Sequence, residues 1–128
     1  MKLGYVIIYT NNVEASVTFY EKAFALSRRF VHESGQYAEM ETGSTALAFV
    51  GDELAQSNVA SYRKNTPAQE PAGIEVALVS DDLDAAYQRA VAAGAKPVNP
   101  PQTKPWGQQV AYVLDNNGVL IELATPMG

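Results

Sequence analysis

The sequence predicts an α+β protein built from two copies of one β-α-β-β-β module. Three observations carry this expectation. Sliding the chain by 70 positions lays "YVIIYTNNVEAS" (Tyr5 to Ser16) over "EVALVSDDLDAA" (Glu75 to Ala86), with Val6 on Val76, Ile8 on Leu78, Val13 on Leu83 and Ala15 on Ala85. Each of these stretches passes from a β-rich run into a helix N-cap, Asn11 or Asn12 in the first copy and Asp81 or Asp82 in the second. An acid follows in the first turn, Glu14 or Asp84, where the helix dipole favours negative charge. After each helix come short β-rich runs separated by Gly- and Asn-containing turns.

Taken in order, the first copy opens on the strand run "YVIIYT" and continues into a helix with Val13, Val17, Tyr20 and Phe24 on one face. Three strand candidates follow, Ser27 to His32, Gln36 to Glu41 and Thr45 to Val50, with turns at Ser34-Gly35 and Gly43-Ser44. The second copy opens on "EVALVS". Its helix aligns Leu83, Tyr87, Ala90 and Val91 and stops at Ala93-Gly94, where a glycine suits a C-terminal cap. A short strand near Lys96 to Val98 then gives way to a Pro-rich loop, "NPPQTKPWG". The strands "QQVAYVLD" and "VLIELA" close the copy around the turn "DNNG". The expected organisation is a single domain over 1–128, with module one at 1–50, a linker at 51–72 and module two at 73–128. The linker is polar, with one short helical turn expected after Asp52. A connection of about 20 residues is long enough to serve either as a binding-site border or as a spacer.

Composition narrows the function classes. With 128 residues and 47% apolar content, the chain can bury a core of its own. Fourteen acidic against nine basic residues leave a net charge of -5 and no basic run, so nucleic acid is not an expected partner. Cysteine is absent, which excludes disulfides, thiolate catalysis and cysteine-ligated metals. The opening "MKLGYVIIYTNN" holds an apolar run too short for a signal peptide or a spanning helix, so the expected setting is cytoplasmic, away from membranes.

The paired modules, the helix "VEASVTFYEKAFAL" with its Phe-Tyr pair and the closing "LDNNGVLIEL" together resemble the vicinal oxygen chelate superfamily, which includes glyoxalase I, extradiol dioxygenases and bleomycin resistance proteins. The resemblance covers essentially the whole chain. It implies the glyoxalase/bleomycin resistance-like fold, in which the sheets of the two modules curl around a cleft, and it implies a homodimer. Four positions, two per module, point into that cleft. Metal-dependent members carry a His or Gln on the first strand of each module and a Glu on the last. Here the resemblance assigns those positions to Tyr5, Ala48, Glu75 and Glu122, and only Glu122 matches the metal-binding pattern.

Strand alternation reaches the two glutamates independently. Glu75 shares a face with Ala77 and Val79, which leaves Ile74, Val76 and Leu78 for the helix side, and Glu122 opposes Ile121 and Leu123. Two carboxylates about 4 Å apart repel by about 4 kcal/mol at an effective dielectric near 20, so the pair either shares a proton or takes a cation. The ordinary alternative is that one of them is tied to Arg63, Lys64 or Lys104, or that the sheet edge leaves it solvated. The single histidine, His32, falls outside the four positions, in a hairpin to which no chemistry is attached. No cofactor is favoured; a divalent metal remains open, with Glu122, Glu75 and Tyr5 as its donors.

Tyr5, Ile7 and Tyr9 share one face of the first strand and, with the small Ala48, form an aromatic wall suited to a flat or cationic ligand. Trp106 is either a cover for the mouth or a loop anchor, and Tyr112 is a further candidate. Phe19, Tyr20, Phe24 and Tyr87 are assigned to helix packing. Arg28-Arg29-Phe30 reads as a solvated strand face. The expected function is sequestration of a cationic or aromatic small molecule in a metal-free acidic and aromatic cleft, similar to the bleomycin resistance branch. The alternative is a glyoxalase- or dioxygenase-like enzyme that uses an atypical metal site or Glu75 and Glu122 as an acid-base pair.

Overall fold

The computed structural model describes residues 1–127 and divides into two compact units. The first is Met1–Glu21 with Ala25–Asn65; the second is Lys22–Phe24 with the chain from Thr66 onward. The first module comprises β1 (Tyr5–Thr10), α1 (Val13–Phe24), β2 (Arg28–Val31), β3 (Tyr37–Met40) and β4 (Ala46–Gly51), followed by α2 (Asp52–Asn58). The second comprises β5 (Glu75–Val79), α3 (Leu83–Ala92), β6 (Lys96–Thr103), β7 (Gln109–Leu114) and β8 (Leu120–Ala124).

Each module makes its own four-stranded sheet, and neither sheet closes into a barrel. The orders are β1-β4-β3-β2 and β5-β8-β7-β6, the same topology twice. In each, the first and last strands run parallel and the other pairs antiparallel. Register extends the internal repeat into the last strands: Ile7 lies opposite Ala48, and Ala77 lies opposite Glu122. Ala48 and Glu122 are therefore equivalent positions, as the sequence alignment had them.

The helices start where the caps predict. Asn12 Oδ1 accepts from the Ala15 amide at 2.9 Å and Asp82 Oδ1 from the Ala85 amide at 3.2 Å, which satisfies one free helix donor in each copy. Past the end of α3, Gly94 takes φ 109, a left-handed conformation that glycine adopts without steric cost. The corresponding bend after α1 falls on Ala25 at φ 57, a site the sequence gives no reason to expect.

Core formation follows the helical spacing. Val13, Val17 and Tyr20 are buried along α1, and the Tyr20 ring meets Phe49 of β4 edge-on at 4.9 Å. Burial of side chains this large stabilises the fold by about 1.5–3 kcal/mol each. The Thr10 and Ser16 hydroxyls, both buried, bond to one another at 2.9 Å. In the second unit α3 lies on β6, β7 and β8 with Leu83 and Ala90 buried. Phe19, Phe24 and Tyr87, expected in helix packing, are only half-buried, and Ile74, expected on the helix side, precedes β5 and is 76% exposed.

Two segments depart from expectation. The stretch Asn99–Thr103, read as part of a Pro-rich loop, belongs to β6. β6 is the edge strand of its sheet and pairs only with β7, so its prolines forfeit few ladder bonds, and the register slips beside Pro97 and between Asn99 and Gln102 absorb the rest. Only Lys104 to Gly107 remains a turn, closed by the Gly107 amide donating to the Lys104 carbonyl at 2.9 Å. After Asp52 the chain makes a seven-residue helix rather than one turn. Among the described residues no helix is long and apolar enough to cross a membrane.

Candidate functional site

On the second sheet, strand alternation delivers Glu75, Glu122 and Tyr112 to one face. Tyr112 lies directly across from Glu122 on β7, while Glu75 stands two residues before Ala77, the neighbour of Glu122 on β5. Tyr112 donates its hydroxyl proton to Glu122 Oε1 at 2.8 Å. That bond, with burial and the charges of Glu122 and Glu75, pushes the phenol up to about 12 and keeps it a donor. Glu75 is exposed as a residue, yet partial desolvation of its carboxyl, then its hydrogen bond to Glu122 and the charge there, raise its pKa above the usual carboxylate range. The Glu75 carboxyl therefore keeps its proton to a higher pH than a free glutamate does.

Among the described residues of the second unit, neither glutamate is in an ion pair. Arg28 and Arg29 pair with Glu14, Glu21, Glu39 and Glu41, not with Glu75 or Glu122. Ala77 and Val79 continue the face as exposed apolar side chains, Val79 at 65%.

The first sheet repeats the geometry with different chemistry. Tyr5, Ile7 and Tyr9 share a face with Ala46, Ala48 and Val50 by register. Tyr5 and Ile7 are 58% and 45% exposed. Ala48 lies on this face but has no exposed surface, so it forms the floor of the wall and not a contact point. Opposite Ala48, at the position matching Tyr112, stands Glu39, which the sequence reading passed over. It accepts from the Tyr37 hydroxyl at 2.6 Å and from Arg29 Nη1 at 2.9 Å. The Glu39 carboxylate is thus neutralised where Glu122 is not. The signal that singled out Glu75 and Glu122, one acid in an apolar strand, was equally present in "YAEM".

Arg28 pairs with Glu14 and Glu21, and Arg29 with Glu39 and Glu41. Both guanidiniums are engaged within the fold, which leaves the "RRF" stretch no free cation for an anionic ligand. Trp106 occupies the β6–β7 turn at 63% exposure, with its indole N–H donating to Gln108 Oε1 at 2.8 Å. His32 accepts from the Ser34 amide at 3.0 Å in the β2–β3 hairpin. A second residue missed in the sequence is Tyr62 of the linker, whose ring packs on Tyr9 at 4.9 Å. A polar groove of about 340 Å³ runs by the N-termini of α1 and α2, lined by Asn11, Gln36, Asp52 and Lys64 among others, and contains none of the predicted site residues.

The donor set does not suit a catalytic transition metal. Among the described residues no three His, Cys, Asp or Glu side chains stand close enough to hold one ion, and the single imidazole is in a hairpin. Tyr112 is engaged as a hydrogen-bond donor to Glu122. Glu75 and Glu122 alone offer two oxygen donors, fewer than such a centre uses.

Comparison with known proteins agrees with the geometry. The uncharacterized protein YraH of Bacillus subtilis (strain 168) is 25% identical over 124 residues, 96% of this chain and 97% of that protein. A glyoxalase-related enzyme from Fulvimarina pelagi superposes with a TM-score of 0.83 at 21% identity, covering 98% of this chain and 88% of that one. A glyoxalase/bleomycin resistance protein/dioxygenase family enzyme from Burkholderia phytofirmans PsJN gives 0.80 at 21% identity, covering 98% of both chains. At these identities the two structures share the fold. The family model matches residues 2–123, and with the duplicated module and its topology this places the chain in the Glyoxalase/Bleomycin resistance protein/Dioxygenase superfamily.

Proposed function

We propose that this protein binds small organic cations, with the Glu75–Glu122 pair of the second sheet as the element that recognises charge. The observation that carries the reading is that Glu75 and Glu122 stand diagonally on one sheet face and that, among the described residues, neither is in an ion pair. A ligand cation beside the two carboxyls would relieve their repulsion. Ala77 and Val79 beside the pair suit the apolar part of such a ligand. The exposed face of the first sheet, Tyr5 and Ile7 over the alanine floor, suits a flat ring through stacking and cation–π attraction. Sequestration without a metal, in the manner of the bleomycin resistance branch, and assembly as a homodimer belong to the same reading. Light scattering tests the dimer, which doubles the 13.8 kDa chain mass.

The test is calorimetric titration at pH 8 with phenyltrimethylammonium, and with benzoate as the anionic control. The expected result is binding of the cation alone, weakened about tenfold or more in Glu122→Gln and in Glu75→Gln, as loss of one hydrogen-bonded charge implies. Equal binding of benzoate, or no effect of either substitution, would overturn it. A second reading is favoured by the raised Glu75 carboxyl, which is poised as a general acid beside a carboxylate. In that case the pair transfers protons in an enzyme, with or without a divalent ion. Titration of the chelator-treated protein with manganese, nickel and zinc tests the metal arm: tight one-site binding lost in Glu122→Gln would favour the enzyme.

A further inference from the structure

The linker between the modules does not simply pass between them. After α2 it turns back across the end of β1, where three contacts fix it. Tyr62 sets its ring against Tyr9, edge-on at 67° with centroids 4.9 Å apart. The Tyr62 hydroxyl donates to Asp52 Oδ1 at 2.7 Å, at the start of α2. Asn65 Nδ2 donates to the Tyr9 carbonyl at 3.0 Å. Exposure along the β1 wall follows from this: Tyr5 and Ile7 are open, whereas Tyr9, two residues further on the same face, is only half-exposed beside Tyr62.

We infer that Tyr62 sets the length of the aromatic wall and so determines how large a flat ligand the first sheet accepts. The inference rests on the reading that this face receives a ring. Successive side chains on one face of a strand stand about 6.6 Å apart. Tyr5 and Ile7 together therefore offer room for about one ring, and a fused system extending toward Tyr9 meets the Tyr62 ring. The ring of Tyr62, held against Tyr9, is the part that limits the wall.

The measurement is the ratio of dissociation constants for phenyltrimethylammonium, with one ring, and N-methylacridinium, with three fused rings, in wild type, Tyr62→Ala, Tyr62→Phe and Tyr62→Trp. Tyr62→Ala is expected to shift the ratio toward the larger cation by between about twofold and tenfold, the range of one aromatic contact. Tyr62→Trp is expected to shift it the other way, and Tyr62→Phe, which keeps the ring, to leave it within about twofold. A merely structural role would weaken both cations alike and leave the ratio unchanged. That result, or a ratio shifted toward the smaller cation in Tyr62→Ala, overturns the inference while the cation-binding reading stands. Should Tyr62→Ala fail to fold, Tyr62→Trp carries the test by itself. If wild type binds neither cation, the underlying reading falls and this inference falls with it.

Discussion

Replacement of Glu75 by Gln should make the protein more stable at neutral and alkaline pH and no more stable at low pH. In the unfolded chain a glutamate titrates near 4.3, whereas in the folded sheet the Glu75 carboxyl titrates higher because of partial desolvation and the neighbouring Glu122. Between those two values the folded state holds a proton that the unfolded state has released. Stability therefore falls as pH rises through the interval, and the favourable contribution is complete only below the unfolded value. Glutamine mimics the protonated acid at every pH, so Glu75→Gln escapes the loss.

The size of the effect is limited by exposure. Glu75 lies on the open face of an edge strand, diagonal to Glu122, so solvent screens most of the repulsion, and like-charge neighbours in such settings cost about 0.5–1 kcal/mol. For a chain of this size that corresponds to roughly 2–4 °C in Tm. Thermal unfolding followed by circular dichroism between pH 4 and pH 8 measures it directly. The two proteins should melt together at pH 4, and the variant should lead increasingly toward pH 8. A variant less stable than wild type at pH 8, or a difference that does not change with pH, would refute the argument that the pair is uncompensated. Together with weaker binding of phenyltrimethylammonium by the same variant, the gain would identify Glu75 as a residue that costs stability and serves binding.

Other outcomes follow from local structure. Asn12→Ala and Asp82→Ala each remove a side-chain acceptor from a helix N-terminus, and each should cost about 1 kcal/mol in urea unfolding. Similar losses are expected because the two caps are the same device in the two copies of the module. Gly118→Ala should cost more, about 2 kcal/mol or above. Gly118 sits at φ 84, and a Cβ there would lie 2.6 Å from the Thr66 carbonyl oxygen, a backbone atom with little room to retreat. A Gly118→Ala protein as stable as wild type would show that the Thr66 segment yields readily.

The sequence by itself determined the modules, because a duplicated pattern needs only local rules to be read. N-caps, the 3.6-residue spacing of apolar side chains and glycine-marked turns all act within a few residues, so α1, α3 and the main strands fell close to their expected places. Alternation also sufficed to put Tyr5, Ile7 and Tyr9 on one face and Glu75 and Glu122 on another, since successive strand residues must point oppositely. What only the tertiary structure decided was which polar groups find partners. Glu39 and Glu122 look alike in sequence, each an acid in an apolar strand. One meets Arg29 ten residues away in the chain and is neutralised, while the other meets Tyr112 and a second acid. Pairing across strands depends on register and on which side chain is long enough to reach, and neither is written in local spacing. The same holds for the linker, whose polar composition gave no sign that Tyr62 would return to the first strand. It holds too for Asn99–Thr103, where prolines suggested a loop and an edge position allowed a strand.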